Sequence, residues 1–167
     1  QQGTRPATFA IAGVAVLALL SPTAMWAGRL GDAQGFEQIP QAWKLTADAV
    51  DDLAAKDGGS TLVLPHARSS EMAWGKVSDE PLTALADSPI TIRAAAPLGH
   101  PGGTRLLDAI DTAAGTGLRS DNLATTLNRM GVARIVVRSD VSSSVRTHDP
   151  AKVEQTLSLS PGFSRLH

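Results

Sequence analysis

Apolar positions along the chain form one long uncharged run, followed by shorter segments with helical or strand spacing. The run, residues 7–27, contains no charged side chain. A helix rises about 1.5 Å per residue, so this run is roughly 30 Å long and matches the hydrocarbon core of a bilayer. It exceeds the apolar region of a signal peptide, and Trp26 lies where an interfacial aromatic residue is expected. The pattern predicts a transmembrane helix within residues 1–28.

Small residues within the run bear on how that helix would pack. Thr8, Ala12 and Ala15 lie close to one helical face. Because close packing of helices in lipid uses small side chains, this spacing favours a late helix of a multi-pass bundle. An alanine-rich composition alone gives the same pattern. Arg5 and Arg29 flank the run on opposite sides, so the positive-inside rule assigns no orientation.

Strand-like and helix-like segments alternate after a polar, glycine-rich linker at residues 29–40. Trp43, Ala47 and Val50 recur on one face of an amphipathic helix predicted over residues 41–55. Further helices are predicted over 104–114, between 120 and 131, and over 150–157, and short strands over 61–64, 90–93 and 133–138. The predicted fold class is α/β, with one N-terminal transmembrane helix followed by a small, mainly parallel sheet with flanking helices over residues 41–167.

Charge and composition exclude several classes of function. The formal net charge is −1, so the chain as a whole has no excess of positive charge with which to hold nucleic acid. The chain has no cysteine, which excludes disulfides and thiolate metal sites. Its four histidines are scattered, with no pair at helical i, i+4 spacing. We therefore expect no metal site and no cofactor in this fragment.

A long segment without clear periodicity, residues 65–81, holds most of the candidate functional side chains. A tryptophan among carboxylates, an arginine and a histidine is the mixture that binds sugars, because indole stacks on a sugar ring and charged groups bond to hydroxyls. The candidate substrate-binding residues are His66, Arg68, Glu71, Trp74, Asp79 and Glu80. In the alternative interpretation the segment is structural, Trp74 fills a gap in the core, and Asp79 and Glu80 begin a short helix.

Several short strings, taken in order, carry a family resemblance. The most specific is Trp-Gly at residues 74–75 followed by Asp-Glu-Pro-Leu at residues 79–82. The others are Gly-Phe-Glu-Gln-Ile-Pro at 35–40 with Trp43, Leu-Pro at 64–65, Gly-Val at 131–132 with Ile-Val-Val-Arg at 135–138, and Ser-Pro-Gly-Phe at 160–163. Over nearly the whole chain these strings resemble the actinobacterial α-(1→3)-arabinofuranosyltransferases, which are large multi-pass membrane enzymes of the C-type glycosyltransferase class.

The resemblance implies a role in building cell-wall arabinan. Enzymes of this class transfer arabinofuranose from a polyprenyl-phosphate donor to arabinogalactan or lipoarabinomannan on the outer side of the plasma membrane. Their catalytic acidic residue lies in an external loop near the start of the protein, so no catalytic residue is assigned in this chain. The first residue is not Met, and residues 163–167 read as the start of a strand. We therefore expect an internal fragment. The resemblance implies that this fragment supports acceptor binding rather than catalysis.

The same resemblance implies the partners and the location. The expected partners are the remaining transmembrane helices of the same protein, the lipid bilayer, the polyprenyl-phospho-arabinose donor and the arabinan acceptor, without nucleic acid. The protein is expected in the plasma membrane, with the soluble part on the extracytoplasmic side. Two alternatives stay open: a structural domain that braces the membrane helices, and a binding or sensor module on a membrane anchor, unrelated to sugars.

Overall fold

The computed structural model describes residues 38–67, 71–77, 79–93 and 99–166. All of them belong to one of the two units into which the chain divides, residues 36–167. The helices are α1 (Gln41–Asp57), α2 (Pro81–Leu85), α3 (Pro101–Ala114), α4 (Leu123–Arg129) and α5 (Pro150–Leu159). The strands are β1 (Ser60–Leu64), β2 (Glu71–Met72), β3 (Gly75–Lys76), β4 (Ile90–Thr91) and β5 (Val132–Val137).

The first helix forms where the sequence pattern predicts it. Trp43, Ala47 and Val50 are its buried residues, and they follow the helical period that places one apolar stripe against the core. The helix ends at Gly58, whose φ of 68° is a conformation that glycine adopts without steric cost. The chain then enters β1 directly, so the helix and the central strand are adjacent in sequence.

A parallel sheet of three strands, in the order β4-β1-β5, forms the centre of the domain. The middle strand, β1, is apolar and buried on both faces: Leu62, Val63 and Leu64 are at most 2% exposed. Such a continuous apolar run is typical of a strand covered by helices on both sides. The register between β1 and β5 shifts between Ser60 and Thr61.

Helices cover the sheet on both faces. On one face, Leu62 and Leu64 of β1 pack with Leu107 and Ile110 of α3, and with residues of α4 and α5. On the other face, Val63 packs with side chains of α1 and α2. The result is a three-layer arrangement of helices, sheet and helices.

The predicted α/β domain with a small parallel sheet and flanking helices is confirmed, but the fold class needs one correction. The predicted class included a membrane-spanning helix, and among the described residues no helix is both long enough and apolar enough to cross a bilayer. The run that suggested it, residues 7–27, lies outside the described residues. The fold of the described residues is therefore mixed α/β, with a small parallel sheet and flanking helices. The proposed boundaries 1–28, 29–40 and 41–167 stay predictions.

One unpredicted feature lies inside the segment 65–81. Strands β2 and β3 form an antiparallel hairpin, with Glu71 opposite Lys76 and Met72 opposite Gly75. Gly75 has a φ of 150°, which a residue with a side chain rarely adopts. The hairpin is short and mostly polar, so it lacks the alternation by which a strand is recognised in a sequence.

Candidate functional site

The topology of the sheet points to one crevice. The first strand of the sheet lies in the middle, with β4 on one side and β5 on the other. Open parallel sheets bind ligands outside the carboxyl ends of two neighbouring strands whose outgoing connections leave in opposite directions. In this sheet those two strands are β1 and β5. Pro65 and His66 follow β1, while Arg138 and Asp140 follow β5. These four residues and their neighbours form the candidate site.

A buried ion pair lies at the carboxyl ends of β1 and β5. The Arg138 guanidinium donates from Nη1 to the Glu80 carboxylate and from Nε to the carbonyl oxygen of Pro65, the latter at 3.1 Å. The two charged side chains are only 6% and 9% exposed. Burial raises the pKa of the Glu80 carboxyl, and the charge of Arg138 opposes this shift. Arg138, the residue after β5, therefore holds Glu80 inside the domain.

A second carboxylate, Asp140, accepts hydrogen bonds from two tryptophans. The indole N–H groups of Trp43 and Trp74 both donate to Oδ2 of Asp140, each at 2.7 Å. The other carboxylate oxygen, Oδ1, is buried and has no hydrogen-bond partner among the described residues. Since Trp43 belongs to α1 and Trp74 to the hairpin, Asp140 links the loop after β5 to both elements.

Backbone hydrogen bonds fix the hairpin against the same loop. The N–H of Ala73 donates to the carbonyl oxygen of Asp140 at 2.6 Å, and the N–H of Ser142 donates to the carbonyl oxygen of Glu71 at 3.1 Å. Met72 also forms an antiparallel bridge with Val141. Trp74, in the turn of the hairpin, is half-buried and packs against the cluster that contains Trp43 and Leu82. Its position is therefore set by both backbone and side-chain contacts.

Two histidines, His66 and His148, lie beside the buried carboxylate of Asp111 near the end of β1. The backbone N–H of His66 donates to Oδ1 of Asp111 at 3.0 Å, and Nδ1 of His148 lies 3.0 Å from Oδ2 of the same carboxylate. The His66 ring is 4% exposed, with Nδ1 4.0 Å from Oδ2 of Asp111. Burial lowers the pKa of His66, and the nearby charge of Asp111 only partly offsets this effect.

The six residues predicted to bind substrate are divided between the interior and the surface. His66 and the side chain of Glu80 are buried, Trp74 and Glu71 are half-buried, and Asp79 is exposed. Arg68 lies outside the described residues. Within the described ranges, no group of three or more histidine, aspartate or glutamate residues is placed to hold a metal ion.

The two residues that organise the site are absent from the substrate-binding residues that the sequence predicts. The sequence places Arg138 at the end of a strand and in one of the family strings, and it gives no prediction for Asp140. Arg138 directly follows the carboxyl end of β5, and Asp140 lies two residues further along the chain. Polar residues at that position, in the strand beside the middle strand of the sheet, are the signal that could have indicated them.

Comparison with known proteins gives consistent results. The family model described as alpha-(1->3)-arabinofuranosyltransferase, N-terminal GT-C domain, matches residues 1–167. The chain is 34% identical over 161 residues to the alpha-(1->3)-arabinofuranosyltransferase of Mycobacterium tuberculosis. It is 35% identical over 159 residues to the protein of the same name from Mycolicibacterium smegmatis. Each alignment covers 94% of this chain.

A solved structure is similar to this chain as well. The cryo-EM structure of the arabinofuranosyltransferase AftD from mycobacteria is similar to the whole chain, with a TM-score of 0.76 and 35% identity. The chain spans 12% and 11% of the lengths of the two curated relatives and 13% of the length of the solved structure.

Proposed function

Because the chain belongs to the family of α-(1→3)-arabinofuranosyltransferases, whose N-terminal GT-C domain matches all of its residues, we propose that the full-length protein is a membrane arabinofuranosyltransferase. It transfers arabinofuranose from a polyprenyl-phosphate donor to cell-wall arabinan, in arabinogalactan or lipoarabinomannan. It is a multi-pass protein of the plasma membrane, and residues 41–167 lie on its extracytoplasmic side. This part of the protein supports acceptor binding rather than catalysis.

The geometry of Trp74 is the observation that carries the acceptor role. Its indole N–H is fixed on Asp140 at 2.7 Å, and the ring is half-buried, so part of the ring surface stays accessible on a rigid support. An indole held in this way can stack on the apolar face of a sugar ring with little loss of side-chain freedom. Asp79, which is exposed, and Glu71, which is half-buried, supply carboxylate acceptors for sugar hydroxyls in the same segment.

The buried charged residues of the segment support a positioning role rather than acid–base chemistry. Glu80 bonds to Arg138, and both side chains are largely excluded from water. The ring of His66 is also buried. A general acid or base has to reach the reacting group within hydrogen-bond distance, which favours a catalytic residue elsewhere in the full-length protein.

Steady-state kinetics of the full-length enzyme test the acceptor role. Trp74→Ala removes the stacking surface, and a stacked aromatic contact is worth about 1 kcal/mol. We expect the KM for an arabinan acceptor to rise about fivefold to tenfold, while the KM for the polyprenyl-phosphate donor stays unchanged. Trp74→Phe keeps a ring and is expected to keep most of the acceptor affinity.

Trp43→Phe is the matched control. Trp43 donates to the same oxygen of Asp140 at the same distance of 2.7 Å, but it is only 6% exposed. Loss of its hydrogen bond is expected to lower thermal stability without changing the acceptor KM. If Trp74→Ala behaves in the same way, the acceptor role is wrong and the domain serves to brace the membrane helices.

A further inference from the structure

In the part of the chain that the structure describes, no strand pairs with the outer edge of β5. Among the described strands, β5 pairs only with β1. The N–H of Arg138 donates to the carbonyl oxygen of Leu64 at 2.8 Å. Because successive residues of a strand direct their backbone groups to opposite sides, the N–H and C=O groups of Ile135 and Val137 point away from β1. They lie on the side where a further strand would pair.

An apolar groove runs along this edge. It has a volume of about 300 Å³ and lies between α1 and β5. On the helix it is lined by Leu45, Ala49 and Leu53, which recur every four residues and form a second apolar stripe beside the one that faces the core. Ile135 of β5 and Leu166 line it as well. Leu45 is 60% exposed and Leu166 is 65% exposed.

The strand lacks the features that normally protect an exposed edge. Such edges usually carry lysine, proline or outward charges that prevent pairing with another strand. The sequence of β5 is VARIVV, in which only Arg134 is charged. Arg134 turns back toward β1, because it donates from Nε to Oγ1 of Thr61 at 3.2 Å and from Nη2 to the carbonyl oxygen of Gly59 at 2.8 Å. The edge is therefore suited to pairing.

The rest of the full-length protein is the best-supported source of a partner. The chain spans only 12% of the M. tuberculosis relative, so the family proteins contain many residues outside this region. Leu166 of this chain already lines the groove. An edge of six residues and a groove of this volume accommodate one strand. A stable dimer buries about 1,600 Å² of surface, which requires a larger interface than this edge offers. A segment of the same polypeptide also benefits from a high effective concentration.

We propose that the free edge of β5 and the groove beside it bind a strand of the same polypeptide, from a part of the full-length protein outside this sequence. The strand extends the sheet beyond β5 by bonding to the backbone groups of Ile135 and Val137. Its side chains cover Leu45 and Leu53. This inference is independent of the acceptor role of Trp74.

Cysteine labelling of the full-length protein tests whether the groove is covered. Leu45→Cys places a thiol in the groove, and Leu118→Cys is the matched control, because Leu118 is 68% exposed and lies outside the groove. A water-soluble maleimide is applied to the purified protein, and the labelled peptides are followed by mass spectrometry. We expect Leu45→Cys to react at least tenfold more slowly than Leu118→Cys. Equal rates would overturn the proposal.

Hydrogen exchange distinguishes a strand from other covers. If a strand pairs with β5, the amides of Ile135 and Val137 exchange at least a hundredfold more slowly than free amides in the unmutated full-length protein. Slow labelling of Leu45→Cys with fast exchange of these amides would mean that detergent, lipid or a helix fills the groove, and the proposal would be wrong. Protection that disappears on dilution to a monomer would identify a second copy and would also refute it.

Discussion

Trp43 and Trp74 donate their indole N–H groups to the same carboxylate oxygen of Asp140, each at 2.7 Å. The first tryptophan is in the buried face of α1, and the second is in the turn of the β2–β3 hairpin. A single carboxylate at the end of β5 thus holds a helix and a hairpin together. The arrangement explains how a short polar hairpin keeps a defined position beside the sheet.

Replacement of Asp140 by alanine is expected to release the hairpin. Both indole N–H groups lose their acceptor, and an unsatisfied buried donor costs about 1–3 kcal/mol. We expect the free energy of local opening to fall by about 2–4 kcal/mol, which increases the exchange rates of the amides in β2 and β3 by about thirtyfold or more. Asp140→Asn retains an acceptor oxygen and should show a smaller increase. Unchanged exchange in Asp140→Ala would show that Asp140 does not hold the hairpin.

Removal of Arg138 leaves the carboxylate of Glu80 buried without its partner. Breaking a buried pair in this way destabilises a protein by about 3–5 kcal/mol, whereas apolar replacement of both partners is often close to neutral. We expect Arg138→Met to lower the thermal stability of the full-length protein strongly. The double variant with Glu80→Leu should recover most of the loss. If the destabilisation of the double variant equals the sum of the destabilisations of the two single variants, Arg138 and Glu80 do not act as a coupled buried pair.

The buried ring of His66 predicts loss of stability in acid. Burial lowers the pKa of the His66 ring in the folded protein below its ordinary value of 6.5, and the charges of Arg138 and Arg93 act in the same direction. The carboxylates of Asp111 and Asp108, on α3, oppose this shift without cancelling it. The unfolded chain therefore binds a proton at a pH where the folded domain does not. Stability is present above about pH 6.5 and is lost as the pH falls from there through the folded pKa.

The pH dependence of unfolding measures this effect. Thermal unfolding of the full-length protein between pH 7.5 and 5 should show a smaller decrease in melting temperature for His66→Met than for the unmutated protein. The exposed His100 gives the control variant His100→Met. A pH dependence that is the same in all three proteins would show that His66 does not titrate with unfolding.

Alanine substitutions at the two glycines before β1 distinguish the cost of backbone strain from the cost of a steric collision. Gly58 and Gly59 have φ values of 68° and 74°, so alanine at either position is strained by about 1–2 kcal/mol. Only at Gly59 would the new Cβ also collide with a neighbour, because it would lie 2.7 Å from Cβ of Ala133. Gly59→Ala should therefore destabilise β1 by about 1–3 kcal/mol more than Gly58→Ala, measured by amide exchange in that strand. Equal effects would contradict the close approach of β1 and β5.

The elements that follow from local pattern could be predicted from the sequence. The helical spacing of Trp43, Ala47 and Val50 indicates α1, and the apolar strings at 61–64 and 133–138 correspond to β1 and β5. The alternation of these elements with helices indicates the parallel sheet. In each case the residues that determine the element are neighbours in sequence, so their pattern is visible without the fold.

The organisation of the candidate site could not be predicted in the same way. The sequence separates Asp140 from Trp43 and Trp74 by 97 and 66 residues, and only the order of the strands brings them together. Likewise, the sequence indicates Glu80 as a candidate binding residue or as the start of a short helix, and only the fold places its side chain beside Arg138 in the interior. The hairpin was missed because each of its strands has only two residues. The binding roles assigned to the segment 65–81 stay predictions.

Equilibrium binding of an arabinan oligosaccharide to the full-length protein tests the acceptor role most directly. The affinities of the unmutated protein, Trp74→Ala and Trp43→Phe are measured by isothermal titration calorimetry without donor. We predict fivefold to tenfold weaker binding for Trp74→Ala, in keeping with the loss of about 1 kcal/mol of stacking, and unchanged binding for Trp43→Phe. The same affinity in all three proteins would contradict the assignment of this domain to the acceptor.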